Sequence, residues 1–226
     1  MDKHRPLEQK FFQRSACTLA QRLLGKIIHH NYEGHWLAAR IIETEAYYLH
    51  EKGSHSSLGY TPKRRAMFMP AGTIYMYYAR GHDSFNISAQ GKGNAVLIKS
   101  GSFFKDDYTD PQALDIMQTL NPLASGKLRP VETLCSGQTL LCRSLGLKVA
   151  DWDQQQFDNR RFYIYDAGYQ PQQIIQTTRL GIPEGRDEHL LQRYIDFDYA
   201  MYCSKNPLRQ KGADYRIIKP RKQAAR

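Results

Sequence analysis

Two tryptophans, four scattered cysteines and no apolar run near the ~20 residues of a membrane helix set the first limits on this 226-residue chain. The cysteines (Cys17, Cys135, Cys142 and Cys203) form no C-x-x-C pair and have no histidine at zinc spacing, which argues for reduced, partly buried thiols. Cys135 and Cys142 lie seven apart, two turns along one face if the segment is a helix, a spacing that suits core packing. Few tryptophans also means few platforms for stacking a sugar. The N-terminal MDKHRPLEQK is charged, and FFQRSACTLA after it lacks the continuous apolar core of a secretory signal, so the expectation is a cytoplasmic protein. Acids are scarce at the other end. Between Lys205 and Arg226 eight Lys or Arg face one acid, Asp214, so this stretch supplies +7 of the net charge of +10. A polyanionic partner is suggested, through a basic tail more than a basic face, although such a tail also serves solubility.

The length suits one domain with a substantial core. The expected boundaries are 1–204 for the folded domain and 205–226 for a poorly ordered basic tail. Residues 7–24 read as a helix stopped by Gly25, and KIIHHNYEGHWLAARIIETEAYY as a hairpin turning at Tyr32-Glu33-Gly34. A polar loop follows from Leu49 to Gly72, of a length that is usually functional or disordered. GTIYMYYARGHDSFNIS predicts a second hairpin with Arg80-Gly81-His82-Asp83 at its tip. GNAVLIKSGSFF adds a strand, DPQALDIMQTL a short helix, and VETLCSGQTLLCRSLGL one or two more. RRFYIYDAG and QIIQTTRLGI are strand candidates, and HLLQRYIDF reads as a short terminal helix or turn. Strands and helices in this order predict a mixed α+β domain.

One stretch does not fit a plain strand. In IIETEAYY, Glu43 and Glu45 sit among isoleucines and tyrosines, and strand periodicity puts them on one face with Ile41 and Tyr47. Two readings fit that face: a solvated edge whose glutamates pair with surface Lys or Arg, or a site. The following fifty or so residues favour a site, since they bring histidines His50 and His55, the basic TPKRR segment and a tyrosine-rich hairpin.

These residues, in order, resemble a known family. ETEAY at 43–47, His55, TPKRRAMFM at 61–69, PAGTIYMYYARG at 70–81, NIS at 86–88, GNAVLIK at 93–99 and LCSG at 134–137 are similar to the alkyladenine (3-methyladenine, methylpurine) DNA glycosylases over roughly residues 10–200. The resemblance implies a single α+β domain with a curved, mainly antiparallel sheet, surrounding helices and a protruding β-hairpin. It implies a monomer-sufficient enzyme that flips alkylated or deaminated purines out of double-stranded DNA and hydrolyses the N-glycosidic bond, leaving an abasic site. The family uses no metal, no cofactor and no covalent intermediate, and no strand-cleaving lyase step is expected.

Residue by residue, Glu45 matches the catalytic carboxylate, with Glu43 as its structural neighbour. Tyr47, His55 and Tyr77 match the walls of the base pocket, and Asn86 the side chain that crowds the 2-position of guanine. Lys99 stands where the family usually has an arginine that helps hold the water; lysine keeps the charge and loses the planar fork. At the hairpin tip the usual wedge tyrosine before the glycine is Arg80, with His82 competing for the same role. Lys63, Arg64 and Arg65 are expected to hold the DNA backbone, against the ordinary reading of a solvated charge run. Two other readings remain at this level: a module that binds damaged DNA without cutting it, and a glycoside hydrolase that uses Glu43 and Glu45 as an acid–base pair.

Overall fold

Residues His35–Tyr47 form the longest strand, β2, and the rest of the fold is arranged along it. The structure is a computed structural model and describes residues 4–220. β1 (Ile27–Tyr32) runs antiparallel to the first half of β2 through the turn at Glu33-Gly34, and β8 (Arg193–Asp196) pairs with Glu43–Glu45 on the same side. β5 (Ala95–Phe103) covers the whole opposite side from Ala39 to Tyr47. Beyond β5 come β4 (His82–Ser88) and β3 (Ile74–Ala79), the second hairpin. Beyond β8 come β7 (Ile174–Thr177) and β9 (Tyr215–Ile218), while β6 (Phe162–Tyr165) extends β1. Every named pairing is antiparallel, in a nine-stranded sheet.

The helices are short: α1 (Gln9–Phe12), α2 (Ala16–Leu23), α3 (Ala113–Leu120), α4 (Gln138–Ser144) and α5 (Val149–Trp152). Phe12, Leu19, Leu23, Met117, Leu141 and Trp152 meet Ile28, Ile41, Ile74, Phe85 and Ile98 of the sheet in one buried cluster, whose apolar area is the main source of stability. Cys135 and Cys142 are both inside this cluster, where burial pushes their thiols well above the ordinary value; they pack as core residues, although only Cys142 is in a helix. The architecture is therefore the mixed α+β domain with a mainly antiparallel sheet that the sequence predicts. Among the described residues no helix is long and apolar enough to cross a membrane.

Several elements differ from expectation. The helix expected over 7–24 is two, because the chain turns at Gln13–Ser15 before Ala16 starts α2. Gly25 (φ 83°) does end α2, as its position suggests. HLLQRYIDF is not a helix or turn: its second half is β8, buried on both sides between β2 and β7, and this pairing overrides any local preference. The basic segment expected as a loose extension adds the outermost strand, since Tyr215–Ile218 pairs with Thr177–Ile174 of β7. The last six residues of that segment, 221–226, lie outside the described residues.

The decisive local feature is an irregularity in β2. Leu37, Ala39 and Ile41 face the main core, but beyond the bulge it is Ala46 that does so, and the Thr44 hydroxyl donates to the Ala20 carbonyl of α2 at 2.9 Å. The pairing with β5 shifts register on both sides of Glu43, which switches the parity of the strand. Ile41 and the two glutamates, expected on one face, are thus on opposite faces. A regular strand would have driven both carboxylates into the apolar core.

Candidate active site

Glu45 and Glu43 are each 0% exposed, and β2 is a central strand, so the pair is not a solvated edge. Burial of a carboxylate requires partners, and the two have separate sets. Glu43 Oε1 accepts from Arg193 Nε at 2.5 Å and from the Ser204 hydroxyl at 2.9 Å; Oε2 accepts from the Ser204 amide at 2.8 Å and from the Ser100 hydroxyl. Every strong acceptor position is filled, and Arg193 is itself buried. Glu45 is held more lightly. Its Oε2 accepts from the Tyr47 hydroxyl at 2.7 Å, its Oε1 from the Leu180 amide at 3.0 Å, and the Lys99 ammonium stands 3.6 Å from Oε1.

Tyr47, Lys99 and Leu180 all line a cavity of about 860 Å³, so the Glu45 carboxylate lies directly beneath its floor. The volume admits a nucleoside-sized ligand. Burial and the adjacent Glu45 charge raise the Tyr47 phenol well above its ordinary pKa, so it stays a donor to the carboxylate. Lys99 also donates to Gln138 Oε1 at 3.3 Å. Two donors and a cation therefore converge on this one carboxylate, which fixes its orientation.

Aromatic rings form the walls. Tyr77 stacks on Tyr75 (centroids 5.5 Å, 27°) and meets His55 edge-on at 4.4 Å; His55 Nδ1 is 3.1 Å from the Tyr75 hydroxyl. Desolvation, with the Arg64 charge added, lowers the His55 pKa, so the imidazole is neutral near pH 7. Asn86 is buried against the same cavity and fixed by donation from Nδ2 to the Tyr75 carbonyl at 3.2 Å. On the Tyr47 side the Arg179 guanidinium lies 4.6 Å from the ring centroid. Arg179 is buried and bridges Glu51 (2.6 Å) and the Ala46 carbonyl (3.0 Å), so it ties the Tyr47 strand to the loop that carries Leu180.

The hairpin tip completes one rim. Ala79 pairs with His82, and the two residues between them, Arg80 (φ 50°) and Gly81 (φ 81°), make a tight turn with both φ positive. Glycine or asparagine is usual at such a first position, so an arginine there is held at a conformational cost. Arg80 and His82 are both exposed and both line the cavity mouth; His82 shares the face of Ala79 and Tyr77, and Arg80 stands at the apex. Arg186 also lines the cavity and is exposed. Ser136 and Gly137 form another wall, and Gly137 (φ 113°) supplies the backbone that starts α4 and donates to the Ser100 hydroxyl at 2.9 Å.

The structure therefore brings Glu45, Tyr47, His55, Tyr77, Asn86, Arg80, His82 and Lys99 around one cavity. Lys63, Arg64 and Arg65 do not line it. They lie on a 3-10 turn, Pro62–Phe68, where Lys63 and Arg65 are exposed and Arg64 braces the preceding loop through the Leu58 and Gly59 carbonyls at 3.2 and 3.1 Å. Sequence reasoning missed Arg179, the Leu180 amide, Gln138, Arg186 and Arg193. The three arginines and Leu180 lie well over a hundred residues from the strand they serve and carry no local signature. Gln138 follows LCSG directly and was the one within reach. No group of three His, Cys, Asp or Glu side chains among the described residues is placed to hold a metal ion.

Comparison with known proteins gives a consistent result. Residues 10–199 match the family model described as methylpurine-DNA glycosylase. A Pseudomonas aeruginosa protein named "Putative 3-methyladenine DNA glycosylase" is 57% identical over 217 residues, covering 95% of this chain and 91% of the relative. A protein of the same name from Pseudomonas syringae pv. tomato is 59% identical over 215 residues, covering 94% and 96%. One from Carboxydothermus hydrogenoformans, again so named, is 31% identical over 185 residues, covering 80% and 91%. With its motifs gathered at one cavity and the family model matching most of its length, this chain belongs to the methylpurine-DNA glycosylase family.

Proposed function

We propose that this DNA N-glycosylase, a hydrolase of N-glycosyl bonds, accepts a damaged purine flipped out of double-stranded DNA into the 860 Å³ cavity and releases it by attack of water activated by Glu45. The observation that carries this reading is a buried, partnered carboxylate directly under the floor of a cavity with aromatic walls. As the base leaves, positive charge develops on the deoxyribose; an ionised Glu45 stabilises it and takes the proton from the incoming water. The Lys99 ammonium and the Leu180 amide orient the carboxylate.

Selectivity follows from the walls. A purine alkylated at N3 or N7 is cationic, and the faces of Tyr47 and Tyr77 attract it more than a neutral base. A neutral His55 adds a third wall without repelling that charge. Asn86, fixed by its bond to the Tyr75 carbonyl, crowds the 2-position, where guanine carries an amino group. Deaminated purines such as hypoxanthine lack the amino group and the charge, so the range includes them on shape alone. A glycoside hydrolase would need a second working carboxylate, and Glu43 is consumed by Arg193, Ser100 and Ser204.

The test is release of free base from methylated DNA and from a duplex with one hypoxanthine. Release from either supports the reading; tight binding of damaged duplex with no release from both would leave a damage-binding module in its place. At the rim, Arg80 is proposed to fill the gap left by the flipped nucleotide, because a guanidinium at the hairpin apex stacks on bases as well as pairing with phosphate. Arg80→Ala is expected to weaken binding to an abasic-site duplex more than to undamaged duplex. Equal losses in a titration of both would make Arg80 a phosphate contact and leave His82, on the pocket face, as the gap filler.

A further inference from the structure

We infer that Gln138 is a positioning residue for the excision step: its side-chain amide holds the Lys99 ammonium beside Glu45, and so lets a lysine serve at this place in the site. The inference rests on the glycosylase reading, which makes Glu45 the working carboxylate. The Lys99 ammonium stands 3.6 Å from Glu45 Oε1, near enough for an ion pair and too far for a hydrogen bond, at the end of a flexible stem. Gln138 supplies the hydrogen bond, since its Oε1 accepts from Nζ at 3.3 Å. An ammonium only donates, so the amide oxygen must face it, and the amide nitrogen is left to donate elsewhere. The Tyr77 phenol is its second contact: burial pushes that phenol up, and the hydrogen bond from Gln138 acts the other way. Lys99, Tyr77 and Gln138 all line the cavity, so one amide meets both the cation at Glu45 and a wall of the base pocket.

The backbone delivers Gln138 to that point. It is the first residue of α4, directly after Gly137, whose amide donates to the Ser100 hydroxyl at 2.9 Å. Ser100 follows Lys99 on β5 and donates in turn to Glu43 Oε2. The start of α4 is thus joined to β5 at two successive residues, Ser100 through Gly137 and Lys99 through Gln138. Glu43, sealed by Arg193, is the far end of this chain of contacts, and Glu45 is the near end. An arginine in place of Lys99 could meet a carboxylate with two parallel bonds from its planar fork and would not need the amide; a lysine, a point charge, does.

The experiment is a double-mutant cycle on the full chain: wild type, Gln138→Leu, Lys99→Arg and the two together. Each is given whichever of the hypoxanthine duplex and methylated DNA the wild type acts on, under single-turnover conditions at a series of enzyme concentrations. Leucine keeps much of the volume and has no acceptor. Gln138→Leu is expected to lower the maximal release rate about 10-fold or more, while the half-saturating concentration stays within about twofold, because the amide acts on the carboxylate and not on the duplex. In the Lys99→Arg background the same substitution should change the rate by less than about twofold, since the fork supplies the second contact. Equal losses in both backgrounds, no loss beside Lys99, a loss confined to half-saturation, or a Lys99→Arg chain that releases no base would each overturn the inference. A wild type that releases base from neither substrate defeats the glycosylase reading itself, whereas release by wild type with a failed cycle defeats only the role of Gln138.

Discussion

Glu45→Gln is expected to slow single-turnover base release by about 10²–10⁴-fold, the usual span for a positioned general base, while affinity for damaged duplex is retained. The amide keeps the shape and an acceptor for the Tyr47 hydroxyl. It cannot take a proton from water, and it removes the negative charge that faces the developing sugar cation. The loss should fall on the chemical step, so saturating enzyme will not restore the rate. Unchanged release, measured under single-turnover conditions, would remove Glu45 from the mechanism.

Glu43→Gln has a different expected result. Arg193 is buried with Glu43 as its carboxylate partner at 2.5 Å, and neutralising one member of a buried pair leaves the other charge uncompensated. The cost is about 3–5 kcal/mol, or roughly 6–20 °C in Tm for a chain of this size. The Ser100, Ser204 and Gly137 contacts around Glu43 also tie β2 to β5, to the start of α4 and to the segment after Cys203, so the damage is to the scaffold. The folded fraction should still turn over. Thermal unfolding and single-turnover rates of the two variants, measured together, form the check. If Glu43→Gln keeps its Tm and loses excision, the two carboxylates have been assigned the wrong way round.

The adjacent pair shows how far the sequence could be read. The local pattern marks both glutamates as unusual, and their order relative to His55, the tyrosine hairpin and LCSG carries the family resemblance. The same pattern cannot separate their roles, because strand periodicity places them on one face together with Ile41. The bulge around Glu43 changes that parity. It depends on how β2 is paired, and no residue type announces it. Arg193 and Leu180, which distinguish the two carboxylates, come from segments read as a terminal helix or turn and as a strand end. Their significance appears only when β8 and the 178–186 loop close against β2. The hairpin was legible for the opposite reason, as a local object between alternating aromatic strands; its turn is Arg80-Gly81 alone, because His82 and Asp83 of the expected four-residue tip pair with Ala79 and Tyr78 in the strands.

The sequence by itself determined the α+β class and the hairpins, because these are encoded in short-range pattern; the pocket aromatics, Glu45 as the working carboxylate and Lys99 in place of an arginine came from the family resemblance of the ordered motifs. Tertiary structure alone decided which glutamate is sealed by Arg193 and which lies beneath the cavity, that Lys99 stands within reach of Glu45, and that part of the basic tail is a sheet strand. Those outcomes depend on partners far apart in the chain, and burial makes each carboxylate take whatever donors the packed sheet brings to it.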